Sequence, residues 1–431
     1  MKTKDKINVI TLGCSKNTVD SERLLNQISV NNISITENPD EADTIIINTC
    51  GFIEAAKEES INTILNAVAL KKEGKIKKVL VAGCLSERYK NDLIKEIPEV
   101  DKYFGTEDYS SIINELGGEL KYNLLGERLI STPQHSAYLK ISEGCDHPCS
   151  FCAIPLMRGK HASRPLDALI SETKFLASKG TKELIIIAQD TTDYGKDIYG
   201  KQNIAYLLNK LSDVDGIEWI RLMYAYPSQF PDDLIYAIAD NPKICKYIDI
   251  PLQHISDNVL KSMRRGVTAK RTKDLIFKLK DRIPEIALRT TFIVGYPNET
   301  EKEFRELCDF VEEVQFDKMG TFTFSVEENT TSFILGNPVP DNIKLNRKDT
   351  LMEIQKGISL IKNENFMNKE LKILIDGIEG DYYIGRSYRD APEVDGEILI
   401  PVNGSDLKAG NFYMAKIYDF NEYDLYAEII H

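Results

Sequence analysis

Along the first hundred residues the apolar positions change period in a regular way. Residues 7–12, 43–48 and 77–82 are short apolar runs of strand length, and 18–31, 53–72 and 86–96 carry helical spacing. Short strands alternating with helices predict a doubly wound parallel sheet. Residues 97–135 are less periodic and turn-rich, with Gly117, Gly118 and Pro133, so a boundary falls near 120–135. A longer alternation follows. Strands are expected at 137–142, 183–189, 219–225, 247–252, 287–294 and 318–324. Helices are expected near 166–179, 203–213, 231–240, 256–281 (in two pieces) and 300–314, with another at 345–367 leading out. Six βα units predict a partial TIM-like (β/α)6 barrel. From 368 the period shortens to strands at 371–376, 382–388, 396–400, 412–419 and 424–430, separated by Gly, Asp and Pro. That pattern predicts a small antiparallel β-barrel of OB-like size. The chain therefore reads as α/β with three domains, 1–120, 131–362 and 364–431.

Composition narrows the class. The 431 residues include 54 Lys and Arg against 67 Asp and Glu, a net charge of −13, with 42% hydrophobic positions. General disorder is excluded by that mix. No stretch approaches the roughly 20 apolar residues that span a membrane. The opening Met1–Ile10 runs into a strand-like segment without a signal-peptide apolar region, so a cytoplasmic protein is expected. An acidic chain is also a poor non-specific ligand for nucleic acid.

The eight cysteines carry the candidate chemistry. In a cytosolic chain clustered thiols point to metal or redox chemistry rather than disulfides. Cys145, Cys149 and Cys152 lie within one eight-residue loop after the first barrel strand. Three thiolates leave one metal position open, whereas structural zinc usually closes a four-ligand shell. His147 is the nearest further donor, but it lies between two of the thiols. Cys14, Cys50 and Cys84 each end a predicted strand of the first domain, where a parallel sheet presents its ligand edge. They are either a second metal centre or three small buried residues. Gly13 and Gly83 would let the backbone turn tightly beside them. Cys245 and Cys308 fall outside both sets, and His135, His161, His254 and His431 have no ligand spacing.

The Cx3Cx2C spacing, with Phe151 before the last cysteine, resembles the radical S-adenosylmethionine (SAM) signature. Leu12–Glu22 around Cys14, Asn48–Ile53 around Cys50 and Ala82–Cys84 resemble the N-terminal domain of the methylthiotransferase family. The terminal barrel resembles that family's TRAM domain, so the likeness spans essentially the whole chain. The resemblance implies two 4Fe–4S clusters. The catalytic one would be held by Cys145, Cys149 and Cys152, with SAM on its open iron. The second, on Cys14, Cys50 and Cys84, is associated with sulfur supply. A deoxyadenosyl radical would remove hydrogen, sulfur would be inserted, and a second SAM would supply the methyl group. An electron donor such as flavodoxin or ferredoxin is implied. Phe151 is expected near the adenine. Gly295, Tyr296 and Pro297 are expected beside SAM, although Asn298 stands where the family often has Gly. Gln189, Asp190, Tyr194 and Gly195 are expected to line the cavity, where turn chemistry would also explain Asp and Gly.

Two substrate branches remain to be separated. The tRNA branch has Gly-Cys-Gln-Met-Asn at the first thiol, whereas this chain has Gly13-Cys14-Ser15-Lys16-Asn17. Asp390-Ala-Pro-Glu393-Val-Asp395-Gly396 resembles an element of the ribosomal, RimO-type branch, which modifies an aspartate of small-subunit ribosomal protein twelve. Residues 368–431 hold 6 basic and 13 acidic side chains, a balance of −7. Phosphate would repel such a barrel, and a basic protein or the small ribosomal subunit would attract it. Asp390, Glu393, Asp395 and Glu397 are the expected docking charges. Arg158, Lys160 and Arg164 are expected either to hold an aspartyl substrate or to be solvated loop charge. A monomer is expected. A tRNA adenosine methylthiotransferase and a non-catalytic zinc-dependent ribosome adaptor stay open as alternatives.

Overall fold

A computed structural model of the chain describes residues 5–402, 404 and 406–430, so His431 lies outside the described residues. These form two compact units. Among the described residues, the first comprises those up to 131 with the short segments 143–146 and 153–175; the second comprises 132–142, 147–152 and those from 176 on.

In the first unit the chain runs β1 (Lys6–Thr11), α1 (Ser15–Val30), β2 (Ser34–Ile35), β3 (Thr44–Thr49), α2 (Glu54–Lys72), β4 (Lys78–Gly83), α3 (Cys84–Glu96), β5 (Lys102–Tyr103) and α4 (Tyr109–Glu115). The sheet order is β2-β1-β3-β4-β5 and every pairing is parallel. Alternate β3 residues go to opposite faces. Ile45 and Ile47 pack with Ile64 and Val68 of α2, while Ile46 packs with Leu24 and Ile28 of α1 and Ile112 of α4. Helices thus cover both faces, which is why β3 is buried along its whole length, with Ile45, Ile46 and Ile47 at its centre. The turn-rich stretch at 97–135 holds β5 and α4. A two-residue strand and a seven-residue helix are too short to show a period.

The second unit holds a six-stranded parallel sheet. The connection after β6 (Ser136–Lys140) carries β7 (Ser142–Glu143), α5 (Ile154–Arg158), β8 (Ala162–Ser163) and α6 (Leu166–Ser178), of which 143–146 and 153–175 belong to the first unit. Then follow β9 (Glu183–Ile187), α7 (Lys196–Tyr199), α8 (Ile204–Ser212), β10 (Trp219–Leu222), α9 (Asp232–Asp240) and β11 (Ile244–Gln253). The alternation ends with α10 (Asp257–Ser262), α11 (Ala269–Arg282), β12 (Ala287–Val294), α12 (Glu301–Val314), β13 (Lys318–Thr323) and α13 (Asp341–Glu364). The order is β6-β9-β10-β11-β12-β13, the open partial barrel that the alternation predicts. A five-stranded closed barrel follows: β14 (Glu370–Glu379), β15 (Tyr382–Arg386), β16 (Ile398–Pro401), β17 (Phe412–Phe420) and β18 (Leu425–Ile429). Its pairings are antiparallel except the closing β16–β18 pair, which is parallel. No helix among the described residues is long and apolar enough to cross a membrane.

The terminal barrel grips the amino ends of the sheet strands through buried ion pairs. Glu183, at the start of β9, receives Arg386 at 2.7 Å and Arg221 at 2.8 Å. Arg386 also pairs with Asp376, which meets His135 at 2.7 Å. Asp390 pairs with Lys318 and Arg389 with Asp317, at 2.9 and 2.8 Å. Tyr247 donates to Asp395 at 2.8 Å, and Arg289 lies 3.4 Å from the same carboxylate. Tyr138 donates to Glu393. These contacts overturn the docking role expected for Asp390 and Asp395: both side chains are buried in internal pairs. Glu393 and Glu397 stay exposed.

Removing one partner of such a pair strands a buried charge. Glu183→Gln should cost about 3–5 kcal/mol, read as a lower urea midpoint at pH 7. Burial alone would push this carboxyl up, but Arg386 and Arg221 outweigh it and hold it at about 2, against an ordinary 4.5. A depressed folded pKa contributes stability above the unfolded value, and that stability is lost as pH falls through the folded value. The gap between parent and variant should therefore be full above pH 4.5 and shrink toward pH 2. Equal midpoints at pH 7 would remove Glu183 from this role.

Candidate metal centres

The first unit has the strand order 2-1-3-4-5, in which the direction of winding reverses between β1 and β3. Ligands of such sheets bind at the carboxyl ends beside that switch point. Cys14 follows β1 as the cap residue of α1, Cys50 follows β3, and Cys84 follows β4 as the first residue of α3. Two thiols flank the switch point and the third follows the adjoining strand. Gly13 has φ +91°, and a Cβ there would lie 2.6 Å from Cys50 Cβ and 2.9 Å from its sulfur. Gly83 has φ +95° and lies against Thr49 and Asn48. Both glycines do what the sequence requires: they turn the chain where no side chain fits.

Asn17 ties these strand ends together. Its Nδ2 donates to the carbonyl of Leu12 at 2.7 Å and to that of Thr49 at 3.1 Å. Ser60 fixes Cys50, accepting from its amide and donating to its carbonyl at 3.0 and 2.9 Å. Arg158, from α5, donates through Nε to Cys84 Sγ at 3.3 Å. Its other nitrogens reach Asp20 at 2.8 Å, Glu143 at 3.1 Å and Asn17 Oδ1 at 2.5 Å. Burial pushes the Cys84 thiol up to about 11; Arg158 opposes the rise, and Cys14 and Cys50 add to it. Burial likewise raises Cys50, with Cys14 adding to the rise. A cation ligand would offset the cost of ionising these buried thiols.

The loop role expected for Arg158 is corrected by this geometry. Arg158 is buried and committed to Asp20, Glu143 and Cys84. Arg164 is likewise taken, 2.6 Å from Glu172, which is also held by Arg128 and Arg23. Lys160 remains exposed.

In the second unit the segment 147–152 lies past the carboxyl ends of the sheet strands. Cys149 Sγ receives Arg265 Nη1 at 3.3 Å and lies 3.5 Å from the Tyr226 hydroxyl. Arg265 stacks over the Tyr226 ring at 4.2 Å and is influenced electrostatically by both Cys149 and Cys152. The Cys152 amide donates to the Cys149 carbonyl at 3.2 Å, closing a turn. His147 stacks on Tyr226 at 3.7 Å and bonds Asp190 at 2.5 Å, so its ring is already partnered. Cys145 lies in the first unit's share of the loop, its amide donating to Gly159 at 3.2 Å.

The remaining expected residues have specific surroundings. Phe151 packs against the buried cluster of Val259, Met263, Tyr296 and Phe324. Tyr296 is fully buried, and its hydroxyl meets Ser150 Oγ at 2.9 Å and the Ser262 carbonyl at 3.2 Å, bracing the thiol loop. The Gly295 amide donates to Glu299, and a Cβ there would strike Lys344. Pro297 lies in the turn that follows, and Gln189 is half-buried just beyond β9. Asp190 and Tyr194 are buried, Asp190 bonding Thr192. Arg158, Arg265 and Tyr226 were missed as thiol partners, because each meets its cysteine across a long sequence separation with no local pattern. Cys245 is buried and lies in neither group.

Comparisons with known proteins agree across the chain. Residues 6–105 match the Uncharacterized protein family UPF0004, 139–311 the Radical SAM superfamily and 369–430 the TRAM domain. The chain is 51% identical over 429 residues to "Ribosomal protein uS12 methylthiotransferase RimO" of Cytophaga hutchinsonii, covering 99% of this chain and 98% of that one. It is 52% identical to the protein of the same name in Chloroherpeton thalassium, covering 100% of both. Among solved structures, the radical SAM methyltransferase TsrM of Kitasatospora setae shares the fold at 13% identity and TM-score 0.58, over 77% of this chain and 75% of that one.

Gly13→Ala tests the convergence of the N-terminal thiols. A left-handed backbone and a Cβ pressed onto Cys50 should cost about 1–3 kcal/mol and push that thiol out of place. With Cys145, Cys149 and Cys152 changed to Ala, the variant should retain less metal per chain than its Gly13 parent. Equal metal content would show that the thiols do not act together.

Proposed function

We propose, because the chain belongs to the RimO-type family of radical SAM methylthiotransferases, that it adds a methylthio group to the β-carbon of an aspartate in small-subunit ribosomal protein uS12. The observation that carries this reading is the pairing of two three-thiol sets in one chain, one on a Cx3Cx2C loop and one at a sheet's switch point. We assign the modules as 1–120, 131–362 and 364–431. Cys145, Cys149 and Cys152 would hold a 4Fe–4S cluster that acts with SAM. Cys14, Cys50 and Cys84 hold a second 4Fe–4S cluster, which serves sulfur insertion. The donor chemistry fits: sulfur ligands suit iron–sulfur clusters, and each set has an arginine N–H on one sulfur. When bound, the cluster and SAM supply the electron, the radical and the methyl group that acid–base side chains cannot. The protein's own residues hold and shield. Arg265 and Tyr226 fix Cys149, Tyr296 braces Ser150, and Asp190 bonds the His147 ring that stacks on Tyr226. Phe151, Gln189, Gly295, Tyr296 and Pro297 are assigned to the surroundings of SAM. The enzyme acts in the cytoplasm as a monomer, with an electron donor such as flavodoxin or ferredoxin.

The terminal barrel keeps an acidic outer surface after its internal pairs are counted. Glu370, Glu379, Asp381, Asp406, Asp419 and Glu428 are exposed, whereas both of its arginines are buried. It sits at the amino ends of the strands and the thiol loop at the carboxyl ends, so its charge serves recruitment of a basic partner rather than positioning of the reacting carbon.

Anaerobic reconstitution should yield about eight iron atoms per chain, as two clusters. Changing Cys145, Cys149 and Cys152 to Ala should abolish SAM cleavage. Changing Cys14, Cys50 and Cys84 instead should leave cleavage measurable and stop sulfur insertion. Intact-mass analysis of uS12 from cells lacking this gene should show the methylthio mass missing; an unchanged mass would defeat the substrate assignment. Neutralising Glu379, Asp381, Asp419 and Glu428 together should weaken uS12 binding and flatten its salt dependence, measured by titration at rising ionic strength. Unchanged binding would reduce the barrel's charge to solubility alone.

A further inference from the structure

Arg158 has more contacts at the N-terminal thiols than charge balance requires. Its side chain is 2% exposed, and all three guanidinium nitrogens are engaged. Nε points at Cys84 Sγ, Nη2 at Asn17, and Nη1 at Asp20 and Glu143. Asn17 is the residue that ties the ends of β1 and β3, and Cys84 begins the helix after β4. One planar group therefore sets the Cys84 sulfur relative to the other two strand ends. Apolar packing helps, since Met157 of α5 and Ala153, which caps it, share a buried cluster with Cys84. Gly159, the next residue, accepts from the Cys145 amide, so the turn that presents Arg158 is itself anchored. A lysine could not reproduce this fork.

Hydrogen bonds to cluster-ligating sulfurs, and nearby positive charge, favour the more negative, reduced state of an iron–sulfur centre. We propose that Arg158 is a positioning residue for the N-terminal centre: its N–H···S bond aims the Cys84 sulfur and raises the reduction potential of a cluster held by Cys14, Cys50 and Cys84. The inference rests on the assignment of a cluster to those thiols.

The test uses full-length protein with Cys145, Cys149 and Cys152 changed to Ala, so that only the N-terminal centre can load. Arg158→Gln, Arg158→Lys and the double variant Arg158→Gln with Asp20→Asn are made in that background. The double variant avoids leaving Asp20 buried without its cation. Iron content and the midpoint potential, followed by EPR during anaerobic redox titration, are measured for each. The parent should hold about four iron atoms. Both Gln-containing variants should shift the midpoint to more negative potential and alter the EPR line shape, with a smaller shift for Arg158→Lys. The parent midpoint and spectrum persisting in the iron-loaded double variant would overturn the role of Arg158 alone. A parent without iron would overturn the cluster assignment, and the inference with it.

Discussion

A sheet whose strands all run one way puts every carboxyl end on one edge, and both thiol sets depend on that constraint. In the first unit it puts three cysteines, 36 and 34 residues apart in the chain, just after the carboxyl ends of β1, β3 and β4. Helices cover both faces, so the edge is the one place where short polar side chains can meet. Convergence carries an electrostatic cost. Buried thiols resist ionisation, and several thiolates together resist it more. The guanidinium of Arg158 meets that cost from one side, and Asp20 and Glu143 keep the guanidinium itself charged: burial disfavours its cation, and the two carboxylates more than offset this. The second unit repeats the solution, with Arg265 against Cys149 and the Tyr226 ring beneath it.

The opposite edge of the second sheet carries a different load. Amino-terminal strand ends expose backbone and side-chain groups that chemistry does not use, and the terminal barrel covers them. It does so largely with buried charge, joined by the aromatic contact of Trp219 with Phe412. Glu183, Arg221, Arg289 and Lys318 project from the sheet, and Arg386, Asp390 and Asp395 answer them from the barrel segment 386–396. A buried pair adds little net stability over an apolar contact but is costly to mismatch. The effect is to specify how the barrel seats on this sheet.

That distinction explains what was legible in the sequence. Period and punctuation were sufficient for the main elements. Thr300 and Glu303 form the reciprocal cap that opens α12, and all six sheet strands fall where apolar runs stand. The thiols were legible because spacing encodes the loop set and matched strand ends encode the other. Their partners were not. Arg158 meets Cys84 across 74 residues and Arg265 meets Cys149 across 116, and no local pattern carries such a pairing. The start of α13 at Asp341, just after Pro340, precedes the expected 345 because the first turn is polar and lacks a core-facing period.

The same limit governs net charge. A count over 368–431 treats thirteen carboxylates alike, yet folding divides them by neighbour. Asp376, Asp390 and Asp395 turn inward to Arg386, Lys318 and Arg289 and have no field to offer a partner. Turning Arg386 and Arg389 inward removes as much positive charge from the surface as two of those carboxylates remove negative charge. The outer face therefore stays acidic although three of the acids are lost to the interior. An excess read from composition thus survives folding, partly on the expected Glu393 and Glu397 and partly on the strands, while Asp390 and Asp395 drop out of it. The motif marks the seat of the barrel on its sheet, and the strands beside it carry the charge that solvent sees.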